Sequence, residues 1–188
     1  LGQGSKPVIV AGISMGAALA LRLAISRALD LRGMALVRPA FDDTSSPDNL
    51  AVLPVTASLL RSVNPEAARA SLLASPEYRA IAAVTASGAS SALDQLEKPM
   101  ARERAVRLAE VLKNVAWRED GEVRGVDMPA LVIGVDRDVM HPLALARRTA
   151  ELLPEGRFVE ATPRDIDPKR YDREIRAAVL GQIAEVLG

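Results

Sequence analysis

Gly12-Ile13-Ser14-Met15-Gly16 sets a serine between two glycines, with an apolar run before it and an alanine-rich stretch after it. A serine at a tight strand-to-helix turn is forced into a strained backbone, and its Oγ stands clear of the sheet. Glycine on both sides is expected, because side chains there would collide with neighbouring backbone. The amide of Met15, at the start of the next helix, would point at the space where an oxyanion forms. This arrangement suits nucleophilic attack by Ser14. A serine hydroxyl is a weak nucleophile near neutral pH and needs a base. The chain has one histidine, His141, which closes the run Asp136-Arg137-Asp138-Val139-Met140-His141. Acids at the carboxyl end of a parallel strand lie on the edge where α/β proteins build their sites. Both Asp136 and Asp138 satisfy that rule, and a solvated turn with local pairing is the bland alternative for them.

Elements able to position these residues are legible on either side. Pro7 to Ala11 is a short Val/Ile run of the kind buried on both faces of a sheet. Ala17 to Leu29 reads as a helix, Gly33 to Val37 as a second buried strand, and Pro39 to Asn49 as a loop. From Leu50 to Ala116 no strand pattern is clear. Asn64-Pro65-Glu66 and Ser75-Pro76-Glu77 are helix starts, each a capping residue, a proline and an acid. Another helix is expected from Pro99 to about Val115, so this block reads as an insertion of roughly three or four helices. Pro129 to Val135 is a third buried strand, Pro142 to Leu153 a helix, Arg157 to Ala161 a fourth strand and Pro168 to Leu187 a terminal helix. Asp120-Gly121 reads as a simple turn. Strand and helix alternate, so an α/β fold with a mostly parallel sheet and right-handed crossovers is expected.

Composition removes several function classes. Lys+Arg and Asp+Glu are 24 each, which leaves no electrostatic footprint for nucleic acid or an anionic membrane. Aromatics are 3% of the residues, too few for base-stacking platforms. With no cysteine and one histidine, neither a thiolate site nor a multi-histidine metal site can be built from this chain, and no cofactor is expected. The lack of cysteine fits a reducing cytoplasm. No apolar run has the length of a transmembrane helix.

With those segments in hand, the sequence resembles the α/β-hydrolase family, specifically its small cap-bearing esterase-like members. Val8 to Gly16 resembles the nucleophile strand and elbow. Pro129 to Gly134, followed by Asp136-Arg137-Asp138 and His141-Pro142, resembles the strand and loop that carry the catalytic acid. The resemblance implies Ser14 as nucleophile, the Met15 amide as oxyanion donor, and Asp138, four residues before Pro142, as the orienting acid. It implies core segments at 1–49 and 125–188 and a helical cap at 50–124. The expected substrate class is a small apolar ester, thioester or lactone, and the cap segment Ala80 to Ala92 could line a pocket for it or simply pack closely.

The pattern breaks at the base. The family places a histidine in the loop after the last strand, and here that loop is Thr162-Pro163-Arg164-Asp165-Ile166-Asp167-Pro168. Ile166 stands about where the base would be. Three accounts stay open: His141 serves as base from the acid loop, a base comes from another segment or chain, or the protein is a catalytically silent relative that binds without turnover. Asp165 and Asp167 flank the vacant position, and Arg164 could hold a substrate carboxylate. The start, Leu1-Gly2-Gln3-Gly4, has neither an initiator Met nor the features of a signal peptide. A sheet of so few strands has exposed edges. A preceding segment or a partner chain that completes the sheet is therefore expected.

Overall fold

The last residues of each strand decide where the site can form, and they lie in a parallel sheet. The computed structural model describes residues 8–61, 64–98 and 100–188. The chain divides into two units. One comprises Leu1–Asp43, Ala116–Asp136 and His141–Gly188; the other comprises Thr44–Val115 and Arg137–Met140.

The first unit holds a four-stranded sheet in the order β1-β2-β3-β4, with β1 Val8–Ile13, β2 Leu31–Val37, β3 Ala130–Val135 and β4 Gly156–Ala161. Every neighbouring pair is parallel. All six residues of β3 are buried, as a continuous apolar run in a parallel sheet requires. Gly33, Ala35 and Val37 alternate toward one face. A Cβ on Gly33 would lie 2.8 Å from Val186 of the terminal helix Pro168–Leu187. On that face Ala35, Val37, Leu131, Ile133, Val135 and Ala161 form a core cluster, packed against Tyr171, Ile175, Ala178 and Val179 of the same helix. On the other face, a Cβ on Gly134 would meet Leu143 and Ala146 of the helix Leu143–Leu152. Two helices thus sandwich β3, one on each side. β1 reaches two residues beyond the expected strand, to Ile13, and Pro7 lies outside the described residues. The helix after it, Met15–Ser26, stops three residues earlier than expected because Arg27 turns left-handed with φ 51°. Asp120-Gly121 is not a simple turn. It opens a short helix, Asp120–Arg124, beside Trp117, whose Nε1 donates to Asp120 Oδ1 at 3.2 Å. Arg148 ties the same region together by donating to both carboxylate oxygens of Asp43 at 2.9 and 3.1 Å and to Asp120 at 2.8 Å.

The second unit is helical: a 3₁₀ turn Asp48–Leu50, then Val52–Leu59, Pro65–Ala74, Pro76–Ala82, Ala86–Glu97 and Ala101–Glu110, with a further 3₁₀ turn Val111–Lys113. The two expected helix starts form as capped termini. Asn64 accepts from the amides of Glu66 and Ala67, and Ser75 from that of Tyr78. The start expected at Pro99 lies outside the described residues. The segment from Ala80 to Ala92 is the end of one helix and the start of the next, and Thr85 caps the second by accepting from Gly88 N. A Cβ on Gly88 would sit 2.6 Å from Thr85 and 3.0 Å from Ile81, so position 88 is closely packed. A cavity of about 550 Å³ in this unit is lined by residues that include Leu59, Leu60, Ala68, Leu96 and Met100. Among the described residues, no helix is long and apolar enough to cross a membrane.

Candidate active site

β1 ends by handing its ladder to the elbow. The amide of Ser14 donates to Val37 O of β2 at 2.9 Å, and the carbonyl of Ser14 then accepts from Ala17 N at 3.0 Å. One residue thus serves both the sheet and the helix. It does so at φ 56°, ψ −116°, a conformation that costs a non-glycine residue on the order of 1–3 kcal/mol. The two flanking glycines are not equivalent. A Cβ on Gly12 would fall 2.0 Å from the carbonyl oxygen of Gly16, so position 12 admits only glycine. A Cβ on Gly16 would meet nothing within 4 Å. The expectation that both glycines avoid collisions is therefore corrected: Gly16 supplies the backbone that crowds Gly12 and is not itself crowded.

Met15 is the first residue of the helix Met15–Ser26, so its amide belongs to the first turn, where N–H groups have no partner four residues back. The helix N-terminus places partial positive charge at the same point.

His141 lies immediately before Pro142, which caps the helix Leu143–Leu152, and it is 7% exposed. Its Nε2 is 2.9 Å from Ser14 Oγ, and its Nδ1 is 3.1 Å from an Arg38 guanidinium nitrogen. Arg38 is the residue directly after β2 and is itself left-handed at φ 49°. Its amide donates to Ile133 O of β3 at 2.7 Å, which fixes its backbone against the neighbouring strand. Three side chains from separate parts of the sequence therefore form one line: Arg38, His141, Ser14.

Arg38 had no place in the sequence reading. The rule that nominates Asp136 and Asp138, a polar residue at the carboxyl end of a buried strand, applies equally to it. A guanidinium keeps its charge and exchanges no proton near neutral pH, so acid–base chemistry alone does not point to it.

Asp136 is exposed at the end of β3. Asp138 is half-buried within Arg137–Met140, the segment that belongs to the helical unit. In the loop after β4, Ile166 is 63% exposed and Arg164 is exposed as well. The Asp167 carboxylate accepts from Arg170 N at 2.9 Å, capping the terminal helix, so its role there is structural.

The model of the serine aminopeptidase S33 family matches residues 2–156. Similar solved structures include MenH from S. aureus, with a TM-score of 0.69 at 15% identity over 97% of this chain and 70% of that one. The enol-lactonase from Burkholderia xenovorans LB400 gives 0.64 at 21% identity over 93% and 64%. A thermophilic esterase from Thermogutta terrifontis gives 0.59 at 18% identity over 96% and 65%. At these identities the likeness is one of fold, and the chain spans about two thirds of the length of these proteins.

Proposed function

The chain belongs to the serine aminopeptidase S33 family of α/β-hydrolases, and from that premise we propose that it is a serine hydrolase of esterase, thioesterase or lactonase type acting on a small apolar substrate. The observation that carries the proposal is the 2.9 Å approach of His141 Nε2 to Ser14 Oγ, since a nucleophile and its base must lie within hydrogen-bond reach. In this reading His141 takes over from the family's usual base, whose expected position holds Ile166. Ser14 Oγ bonds to the acyl carbon while its proton passes to His141 Nε2. The carbonyl electrons move to the oxygen, which the Met15 amide receives. The proton then goes to the leaving group, and water repeats the sequence to release the acid. The lactonase and esterase among the structural neighbours support the choice of substrates to try first.

Hydrolysis of a panel of short and medium-chain p-nitrophenyl esters, thioesters and lactones tests this. Turnover that disappears in Ser14→Ala is expected. Turnover that survives in Ser14→Ala would remove Ser14 from the chemistry.

A second reading has its own observation. The guanidinium on Nδ1 occupies the place where a hydrolase triad has a carboxylate. A hydrolase-fold binding protein without turnover would tolerate this, and ligand binding unaffected by Ser14→Ala, with no product formed, would favour it.

We also propose that a further strand, from a preceding segment or a partner chain, covers the outer edge of β1. What supports this is the place of β1 at the end of the sheet, where its outer edge pairs with no strand among the described residues. Slow hydrogen exchange at the outward-facing β1 amides of the native protein is expected. Free exchange there would argue against a covering strand.

A further inference from the structure

The Met140 carbonyl and the His141 amide form one planar unit, so whatever fixes the Met140 oxygen fixes the peptide from which the histidine departs. Asn49 Nδ2 donates to that oxygen at 2.8 Å. Asn49 is the middle residue of the 3₁₀ turn Asp48–Leu50. The backbone there is closed by Leu50 N donating to Pro47 O at 3.0 Å and Ala51 N to Asp48 O at 3.1 Å. Leu50 is buried and anchors the turn. Asn49 and Met140 both belong to the helical unit, and His141 is the first residue of the sheet unit that follows Met140. On its other side His141 meets Pro142, at φ −54°, whose ring confines the preceding residue to extended backbone. The histidine thus leaves a clamped peptide and enters a restricted one.

We propose that Asn49 is a positioning residue for the reaction: its amide holds the Met140–His141 peptide in the plane that brings His141 Nε2 to 2.9 Å from Ser14 Oγ. A neutral amide donating to a carbonyl brings no charge to the site and moves no proton. What it supplies is placement. Proton transfer from Ser14 needs Nε2 within roughly 2.6–3.2 Å of the hydroxyl. Releasing the peptide plane lets the ring drift beyond that reach, and a displacement of about 1 Å can cost about 10²-fold in rate. This kinetic consequence rests on the serine-hydrolase reading above; the clamp on His141 does not.

Two substitutions test it. Asn49→Ala removes the donor, and Asn49→Asp keeps the size but sets a carboxylate oxygen against the carbonyl. The chain contains one histidine, so the ring signals of His141 stand alone in an NMR spectrum. In either folded variant the backbone order parameter of His141 is expected to fall from about 0.85 toward 0.6, with broadened or doubled ring signals. Ser75 and Gly88, elsewhere in the helical unit, should stay as rigid as before. Unchanged His141 signals in the folded variants would overturn the proposal. So would unfolding of both variants, or a loosening that reaches Ser75 and Gly88 equally, since Asn49 would then be a general support of its unit. Alongside, Ser14 labelling by a fluorophosphonate should be slower by about 10- to 100-fold in both variants. If His141 loosens but even the unsubstituted chain takes no label, the clamp stands and the hydrolase reading fails. If His141 loosens and labelling keeps its rate, the clamp has no bearing on the reaction and the positioning role is wrong.

Discussion

Ser14 and Arg38 stand one residue beyond the register pair Ile13 and Val37, so the two side chains that meet His141 leave neighbouring parallel strands at the same level. Both turn left-handed at that point, with φ 56° and 49°. Strain of this kind persists only where surrounding structure over-determines it, and here each amide is tied to a carbonyl of the adjacent strand.

The asymmetry of the elbow glycines gives a direct comparison. Gly12→Ala forces backbone to move and should cost several kcal/mol, roughly 3 or more, with loss of folded protein as the extreme. Gly16→Ala meets open space in the first turn of a helix and should be neutral or stabilising by up to about 1 kcal/mol. Thermal unfolding of the two variants side by side measures the difference, and equal destabilisation would contradict the geometry.

Replacing His141 separates its role from that of the serine. His141→Ala should reduce the rate of Ser14 acylation by about 10²- to 10⁴-fold while leaving the fold intact. Stopped-flow or discontinuous acylation kinetics would show it. An unchanged rate would mean that another group takes the proton.

Arg148→Met removes donors to Asp43 and Asp120 and a cation stacked 5.5 Å over the Trp117 ring. These groups are partly exposed, so solvent screens them, but the bidentate geometry and the network raise their worth above that of a lone surface pair. A loss of about 1–2 kcal/mol in urea unfolding is expected, with Trp117 fluorescence as the probe. The Asp43 carboxyl, held below the usual carboxylate range chiefly by its Arg148 hydrogen bonds, should titrate higher in the variant.

Glu174 couples the end of β4 to the terminal helix. It accepts from Thr162 N and Arg170 Nε, both at 2.7 Å, and these bonds, the Thr162 amide foremost, pull its carboxyl from 4.5 down to about 2. A folded-state value below the unfolded one means the stabilisation is fully present above the unfolded value near 4.5. It is lost as pH falls through about 2. Glu174→Gln should therefore be less stable at neutral pH, and the gap to the unsubstituted chain should close between those two values. A gap that stays constant with pH would show that the carboxylate charge does not contribute.

The elements that the sequence disclosed best were those with an internal period or a chemical stop. Buried strands such as Ala130–Val135 have unbroken apolar runs, and Asn64-Pro65 and Ser75-Pro76 carry their caps in adjacent residues. The short helix at Asp120 escaped because its five residues are too few to show a helical period, and it is held by Arg148 and Trp117 from elsewhere in the chain. In the site, Ser14 was legible because the elbow is a local pattern. The line from Arg38 through His141 joins residues more than a hundred positions apart, and only the sheet register brings them together. Arg27 ends its helix left-handed without the glycine that usually marks such a stop, so the sequence carries no local sign of that boundary.

Covalent labelling of the native protein with a fluorophosphonate, followed by peptide mass spectrometry, tests the nucleophilic role of Ser14 most directly. One adduct on the peptide containing Ser14, absent from Ser14→Ala, is the predicted result. A folded protein that takes up no label, or takes it up on another residue, would contradict it.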